Sequence, residues 1–465
     1  MPAQREHWGT KLGFIMATAG SAIGLGSLWR FPYLTGENGG GAFVLLYILF
    51  TLLIGIPIFI SELIAGRASQ KSAIQAFMKL APRSNHWHLA GWLNIFTALI
   101  ILSYYSVVSG WTLNYALMSL LQFTQSKTPD EIRSIFDILY VSADINVFWH
   151  FIFMVLTAGI VYGGIRKGIE YWSKILTPAL LIILIGLFLF AITLPGFKQA
   201  CNFILYPDFS KLTPNGILEA LGMSLFTMSI GIGAILTYGS YMQSDSDIPK
   251  TSLIIGSVSA AVSLIGVLII FPIIFTFGFA PEEGTGLVFK TLPVLFTQLP
   301  GTLIISTVFF ILFIFTALTS SISILEVIVS NLIETLNWSR KKSVIISSIT
   351  AFLLGIPTAL AGSGLLFGSW KKMYGKDFFT TLDYLCGSWL MPLGGFFIAI
   401  FVGFIMKKSQ VKEEFLKGTT MNRFITLWLF LIRWLVPIAV FIIILEKSNI
   451  ININNIIQQI TGNKT

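Results

Sequence analysis

Two runs of glycine mixed with hydroxyl residues carry most of what this 465-residue sequence could use for chemistry. The first, Thr18 to Ser27, contains Gly20, Gly24 and Gly26; the second, Phe226 to Gly233, contains Gly231 and Gly233. Both lie inside long apolar stretches where a helix should be continuous. Glycine costs about 1 kcal/mol per helical position relative to alanine, and inside lipid every freed backbone group needs a partner. A break exposes amide N–H groups at the start of one half-helix and carbonyls at the end of the other. The amides suit a carboxylate, the carbonyls suit a bare cation, and small side chains let both approach the backbone. For either run alone, close helix packing through small residues is the competing reading. The two runs sit in the first and sixth apolar stretches, corresponding places in a 5 + 5 arrangement, and this pairing favours breaks around a shared ligand site.

Charges inside apolar sequence are the second chemical signal. Arg30 follows the first run and Asp383 opens a later stretch; intramembrane charges are costly and usually paired or facing water. Glu62, Glu326 and Arg433 also fall within or near spans and read as structural pairs. Gly168 and Pro178 bracket the start of another stretch, where both weaken helix. His7, His86, His88 and His150 have no metal-ligand spacing, and no nucleophile–base arrangement or nucleotide loop is visible, so the chain does not read as an enzyme.

The elements that must position these residues are membrane helices. Hydrophobic residues make up 55% of the chain and charged ones 11%, against about 25% charged in soluble proteins. Mean hydropathy is +0.82. Two cysteines, Cys201 and Cys386, exclude a disulfide scaffold. Apolar stretches run over about 11–36, 41–66, 89–124, 146–164, 171–194, 214–242, 250–279, 300–335, 341–361, 378–406 and 420–446. Eleven helices follow, at roughly 20 residues per crossing. With the N-terminus inside, 18 lysines and arginines lie on the cytoplasmic side and 10 outside, so the net charge of +9 reflects topology rather than nucleic-acid binding. The expected organisation is a cytoplasmic tail at 1–10, a membrane domain at 11–446 and a short extracytoplasmic tail at 447–465, in a cell (inner) membrane.

Five separated motifs resemble the neurotransmitter:sodium symporter family. They are Arg5-Glu-His-Trp8 with Gly20-Ser-Ala-Ile-Gly-Leu-Gly26, Trp29-Arg-Phe-Pro32 with Glu37-Asn-Gly-Gly-Gly-Ala-Phe43, Tyr104-Tyr105 before Trp111, the Phe226–Gly233 segment, and Leu318-Thr-Ser-Ser-Ile322. The resemblance spans about 1–445, and eleven helices look like the shorter bacterial branch. It implies an all-α, LeuT-type 5 + 5 inverted repeat with discontinuous helices 1 and 6, plus helix 11, working by sodium-driven alternating access.

Residue by residue, the resemblance implies that a substrate carboxylate meets the backbone from Ala22 through Gly24 and Leu25 to Gly26, and the Tyr105 hydroxyl. The amino group would meet carbonyls near Ala22, Phe226, Thr227 and Ser229. Ile101, Phe226, Ile232, Ser320 and Ile324 would line the side-chain pocket, which carries no charge. Gly24 stands where monoamine carriers have an aspartate, and Ile232 where an aromatic residue is frequent. A second sodium site would use Gly20, Ile23, Thr316, Thr319 and Ser320. A first sodium site would use Ala22, Ser27, Thr227 and Ser259, with serines at positions that usually hold amides or a carboxylate. Tyr47, Thr227 and Ser263 match a chloride site, although Met223 replaces the usual glutamine. Arg30 and Asp383 match an outer gate; Arg5, Trp8, Ser240, Tyr241 and Glu334 match an inner one. In the family's bacterial members the Gly168–Pro178 pattern is linked to water reaching the second sodium site from inside.

The expected activity is sodium-coupled uptake of a small neutral, hydrophobic or aromatic, amino acid by a protein that is a monomer or loose homodimer in the lipid bilayer. A proton-coupled or sodium-independent carrier on the same fold, and a sensor that binds without translocating, remain open alternatives on sequence.

Overall fold

The computed structural model describes residues 6–84, 86–279, 286–448 and 450. In chain order its helices are α1 (Lys11–Ala22), α2 (Gly26–Glu37), α3 (Gly41–Ser69), α4 (Ala73–Leu80), α5 (His88–Leu120), α6 (Pro129–Val141), α7 (Ala143–Tyr162), α8 (Ile165–Ile192), α9 (Phe197–Leu205) and α10 (Pro214–Thr227). There follow α11 (Ala234–Gly239), α12 (Ile248–Thr276), α13 (Leu287–Phe296), α14 (Thr302–Leu336), α15 (Arg340–Ala359), α16 (Trp370–Tyr374), α17 (Phe378–Ile405), α18 (Lys408–Leu416) and α19 (Phe424–Lys447).

Among the described residues nine helices are long and apolar enough to cross a bilayer: α3, α5, α7, α8, α12, α14, α15, α17 and α19. The bent pair α1 and α2, at 44° to one another, makes a tenth crossing. With 14 and 6 residues, α10 and α11 are each too short to span alone. End to end, across Met228–Gly233, they occupy the remaining apolar stretch, so the eleven stretches read from the sequence each have their helical counterpart.

Proline explains a recurring irregularity. Five wide π-turns, Gly26–Arg30, Thr51–Gly55, Leu287–Thr291, Cys386–Leu390 and Leu431–Leu435, end one residue before a residue–proline pair: Phe31 and Pro32, Ile56 and Pro57, Leu292 and Pro293, Met391 and Pro392, Val436 and Pro437. Proline lacks an N–H and its ring crowds the carbonyl a turn earlier; widening that turn relieves the clash without ending the helix. Two of these turns lie beside Arg30 and Asp383.

The long helices α5 and α14 pack along each other as the scaffold, with α7 and α15 beside them. The broken segments sit at the centre: α1 lies against α8, α12 and α14, and α11 lies against α3. Burial follows this order. In its most apolar stretch α5 is 72% buried, whereas α8 and α19 reach 33% and leave most of their surface for lipid.

Candidate functional site

At the first break, α1 ends at Ala22, Ile23 turns the chain out of helix (φ −105°, ψ 77°), and helix resumes at Gly26. The glycines are needed for close approach. A Cβ on Gly24 would lie 3.0 Å from the Ser320 hydroxyl, and one on Gly26 only 2.6 Å from the Phe226 ring. Between them, the Leu25 amide leaves the helical ladder and donates to the Tyr105 hydroxyl at 3.3 Å. The second break runs through backbone that L side chains rarely adopt: Ser229 at φ +54°, Gly231 at +84° and Gly233 at +78°. Glu62 of α3 holds it open, accepting the Gly231 amide at 2.8 Å and the Leu236 amide at 3.1 Å. On sequence Glu62 reads as a structural charge pair. Its partners are instead the orphan donors at the start of α11, a role foreshadowed only by an acid stranded in an apolar run.

The two breaks are tied together through the carbonyl end of α1. Ser229 donates to the Ser21 carbonyl at 2.7 Å, Ser320 to the same carbonyl at 3.4 Å, and Ser259 to the Ala22 carbonyl at 2.9 Å. Ser259 also points at the Thr227 carbonyl, 3.4 Å away. Three of the four residues matched to the first sodium site therefore converge. The fourth, Ser27, is fully buried, and its hydroxyl has no partner among the described residues. An unpartnered buried hydroxyl is costly, and its oxygen keeps free lone pairs that could take a cation.

At the second sodium set, Thr319 donates back to the Phe315 and Thr316 carbonyls, both at 3.0 Å. Gly20 is wedged beside it: a Cβ there would meet Thr319 at 3.0 Å and the Thr177 hydroxyl at 2.6 Å. Ile23 is fully buried in the turn beside them. In the chloride-type set, Tyr47 lies 3.0 Å from both the Thr227 and Ser263 hydroxyls, while Thr227 donates to the Met223 carbonyl and Ser263 to that of Ser259. These three hydroxyls lie together as one buried hydrogen-bonded group.

Leu25, Gly26, Tyr105, Val108 and Phe226 line an enclosed pocket roofed by Arg30, Tyr104 and Asp383. Ile101, Ile232, Ser320 and Ile324 lie outside its wall and are at most 4% exposed. The Arg30 guanidinium reaches both Asp383 oxygens, at 3.3 and 3.2 Å, and stacks over the Phe226 ring at 5.1 Å. Beyond it a wider vestibule is lined by Trp29, Tyr33, Glu37, Trp111, Asp137 and Asp377 among others.

The opposite end is closed by Trp8. Its indole donates to the Tyr238 carbonyl at 3.0 Å and its ring meets Phe14 and Tyr238 edge-on. Trp8 is only 2% exposed, so this stretch is docked rather than a loose tail. Glu170 of α8 accepts from the Gly9 amide, the Thr10 hydroxyl and Lys174, and Glu6 caps the Ile165 amide. Arg5 lies outside the described residues. Within the rest of the inner-gate set, the Tyr241 hydroxyl donates to Glu326 at 2.7 Å, and Glu326 pairs with Arg340 at 2.6 Å. Glu334 accepts from the amide and hydroxyl of Ser72, capping α4. Ser240 donates to its own helix at Thr237. Glu326 and Glu334 lie eight residues apart on one helix, and spacing alone did not say which of them faces Tyr241. Around Gly168 the chain forms a wound π-turn, Ile165–Glu170, where a Cβ would run into the Ile160 carbonyl.

Comparison with known proteins gives a consistent result. A family model described as "Sodium:neurotransmitter symporter family" matches residues 5–129 and 140–459. The chain is similar to an uncharacterized sodium-dependent transporter, YhdH, of Bacillus subtilis (strain 168), at 38% identity over 447 residues, covering 96% of this chain and 98% of that one. An uncharacterized sodium-dependent transporter of Haemophilus influenzae is 35% identical over 455 residues, covering 96% and 98%. Among solved structures, that of MhsT in complex with L-phenylalanine matches with a TM-score of 0.88 at 38% identity, covering 95% of this chain and 99% of that chain. The expected all-helical LeuT-type architecture holds.

Proposed function

From the sodium:neurotransmitter symporter family, to which this chain belongs as a sodium-dependent transporter, we propose that it carries a hydrophobic amino acid into the cell together with sodium, by alternating access, with its N-terminus cytoplasmic. The observation that carries this reading is the convergence of the Ala22 and Thr227 carbonyls on the Ser259 hydroxyl, which joins the two breaks, while the Leu25 amide in the first break turns to Tyr105.

The mechanism follows from the two breaks. The substrate carboxylate takes the amide end of α2 at Gly24, Leu25 and Gly26, with the Tyr105 hydroxyl beside it; positive partial charge at a helix start favours an anion there. The amino group lies toward the Ala22, Phe226, Thr227 and Ser229 carbonyls. The side chain lies among Ile101, Ile232, Ile324, Ser320 and Phe226, where nothing is charged, and this supports an aliphatic or aromatic substrate. The relative solved with L-phenylalanine supports the same class. Sodium at the first site adds positive charge between the carbonyl end of α1 and the incoming carboxylate, so ion and substrate each improve the other's site. A second sodium takes Gly20, Ile23, Thr316, Thr319 and Ser320. Chloride has no assigned step in this mechanism.

Uptake of labelled L-phenylalanine into proteoliposomes tests this: an inward sodium gradient should drive accumulation above equilibrium, competed by other hydrophobic amino acids. Equal uptake with choline in place of sodium would refute the coupling. Ser27→Ala should weaken sodium activation by about tenfold, the contribution of one buried oxygen ligand, while leaving the fold intact; unchanged sodium dependence would remove the first site.

A further inference from the structure

The connection from α15 to α17 is written for a membrane surface. Residues 364–369 and 371–376 are exposed, and within them stand five large apolar side chains: Leu365 at 70%, Leu366 at 40%, Phe367 at 51%, Met373 at 66% and Tyr374 at 61%. Three lysines, Lys371, Lys372 and Lys376, are interleaved with them, all exposed. The aromatic rings form one cluster. Trp370 lies 5.4 Å from Phe367, 4.5 Å from Tyr374 and 5.2 Å from Phe378, and Phe367 stacks on Phe378 at 5.1 Å.

Helix length says where this cluster must sit. With 20 residues α15 is about 30 Å long, which only matches the hydrocarbon core. The loop therefore leaves α15 close to the membrane surface before α17 begins at Phe378. Exposed apolar rings held at that depth lie among headgroups, where aromatic side chains concentrate. Lysines held there favour anionic lipid. Three of them on the Arg30 side run against the lysine asymmetry of the rest of the chain, which places most positive charge on the Trp8 side.

We infer that residues 364–376 form a docking patch for anionic phospholipid headgroups, and that occupancy bears on the Arg30–Asp383 closure. The link to that closure is short. Asp377 caps α17 by accepting the Thr380 amide at 2.7 Å, Trp370 donates to the Thr381 hydroxyl at 3.0 Å, and Asp383 follows two residues later on the same helix. Asp377 and Asp383 both line the vestibule. A headgroup that draws the lysines toward the bilayer therefore pulls on the arm that carries Asp383.

The test uses the full chain with Met373→Cys in a Cys201→Ser, Cys386→Ser background, spin-labelled and reconstituted into vesicles of phosphatidylcholine alone or mixed with phosphatidylglycerol. The label should relax with oxygen in preference to a water-soluble nickel chelate, more so with phosphatidylglycerol. Lys371→Gln, Lys372→Gln and Lys376→Gln should each lower the phosphatidylglycerol preference about fivefold, with the thermal midpoint unmoved. A label that relaxes as in bulk water overturns the proposal, and so does equal burial in both vesicles. Because the readout is depth rather than transport, these outcomes stand apart from failure of the sodium-coupling reading.

Discussion

The two ends of the central pocket are closed by different means. At the Arg30 end the guanidinium meets the Asp383 carboxylate at 3.2 Å, each side chain one-fifth exposed; Tyr104 donates to the same carboxylate at 3.3 Å, with the Phe226 ring beneath and an open vestibule beyond. At the Trp8 end the closure spreads over four elements. Trp8 is held by α11, Glu170 of α8 clasps Gly9 and Thr10, and Tyr241 is bound to the fully buried Glu326, which pairs with Arg340. The two arginines are equally exposed, at 20%, and the difference lies in the carboxylates: Asp383 is one-fifth exposed toward the vestibule, whereas Glu326 is fully buried, and breaking a buried pair costs about 3–5 kcal/mol. Two halves of similar architecture thus carry unequal locks, and the inequality resides in side chains rather than in topology. On the transport reading proposed above, the Arg30 end is the cheaper of the two to open.

The largest expected effect comes from attacking the strong lock. Glu326→Ala leaves Arg340 with only the Val161 carbonyl as acceptor and removes the acceptor of Tyr241, and should destabilise the Trp8-end closure by about 3 kcal/mol. The measurement is labelling of a cysteine at Thr237, now fully buried, from the Trp8 side. Labelling should rise steeply in the variant. Unchanged protection would mean that the indole and the Glu170 clasp suffice alone.

Asp383→Asn attacks the weak lock. It keeps the size of the side chain and an oxygen that can accept from Arg30 and Tyr104, and leaves Arg30 stacked on Phe226, so the loss should be smaller than that of Glu326→Ala. Substrate should leave toward the vestibule several-fold faster while the thermal midpoint scarcely moves. A midpoint drop as large as that of Glu326→Ala would erase the asymmetry. Gly387→Ala is the gentler version. A Cβ there would lie 2.8 Å from Nη1 of Arg30, and the flexible guanidinium must shift. Its effect on release should be smaller than that of Asp383→Asn and should vanish in an Arg30→Ala background, because coupled sites are not additive.

The asymmetry also marks what the sequence made legible. The breaks could be read from Gly20, Gly24 and Gly26 and from Gly231 and Gly233, because glycine weakens a helix and its recurrence at matching places in two apolar runs marks where the helix lapses. Arg30 and Asp383 could be read because charge in lipid demands a partner. The strong lock could be read only in part. Glu326, deep in an apolar run, reads as a structural charge and pairs with Arg340, but Glu170 and Arg340 sit near helix ends where charge is ordinary, and only tertiary packing decides that Tyr241 turns to Glu326 while Glu334 caps α4. Glu62 escaped for a related reason: its partners are backbone amides, which every sequence contains.

The smallest effect belongs to a contact that resembles the strong lock in place and the weak one in kind. Lys11 at the start of α1 lies 2.8 Å from Asp245 in the turn after α11, both well exposed at 61% and 65%. The hydrogen bond from Lys11 holds the Asp245 carboxyl below its ordinary range. A depressed carboxylate stabilises the closed state above its unpaired value of about 3.9 and loses that contribution as pH falls through the lower paired value. Between about pH 5 and 8 the contact is therefore constant, and Asp245→Asn should differ from the parent by the same small amount throughout. The two proteins should converge in more acid solution and in high salt, which screens exposed charges beyond a few ångströms. If instead their Thr237 labelling rates diverge between about pH 5 and 8, a group titrating in that range controls the Trp8 end, and the lock described above is incomplete.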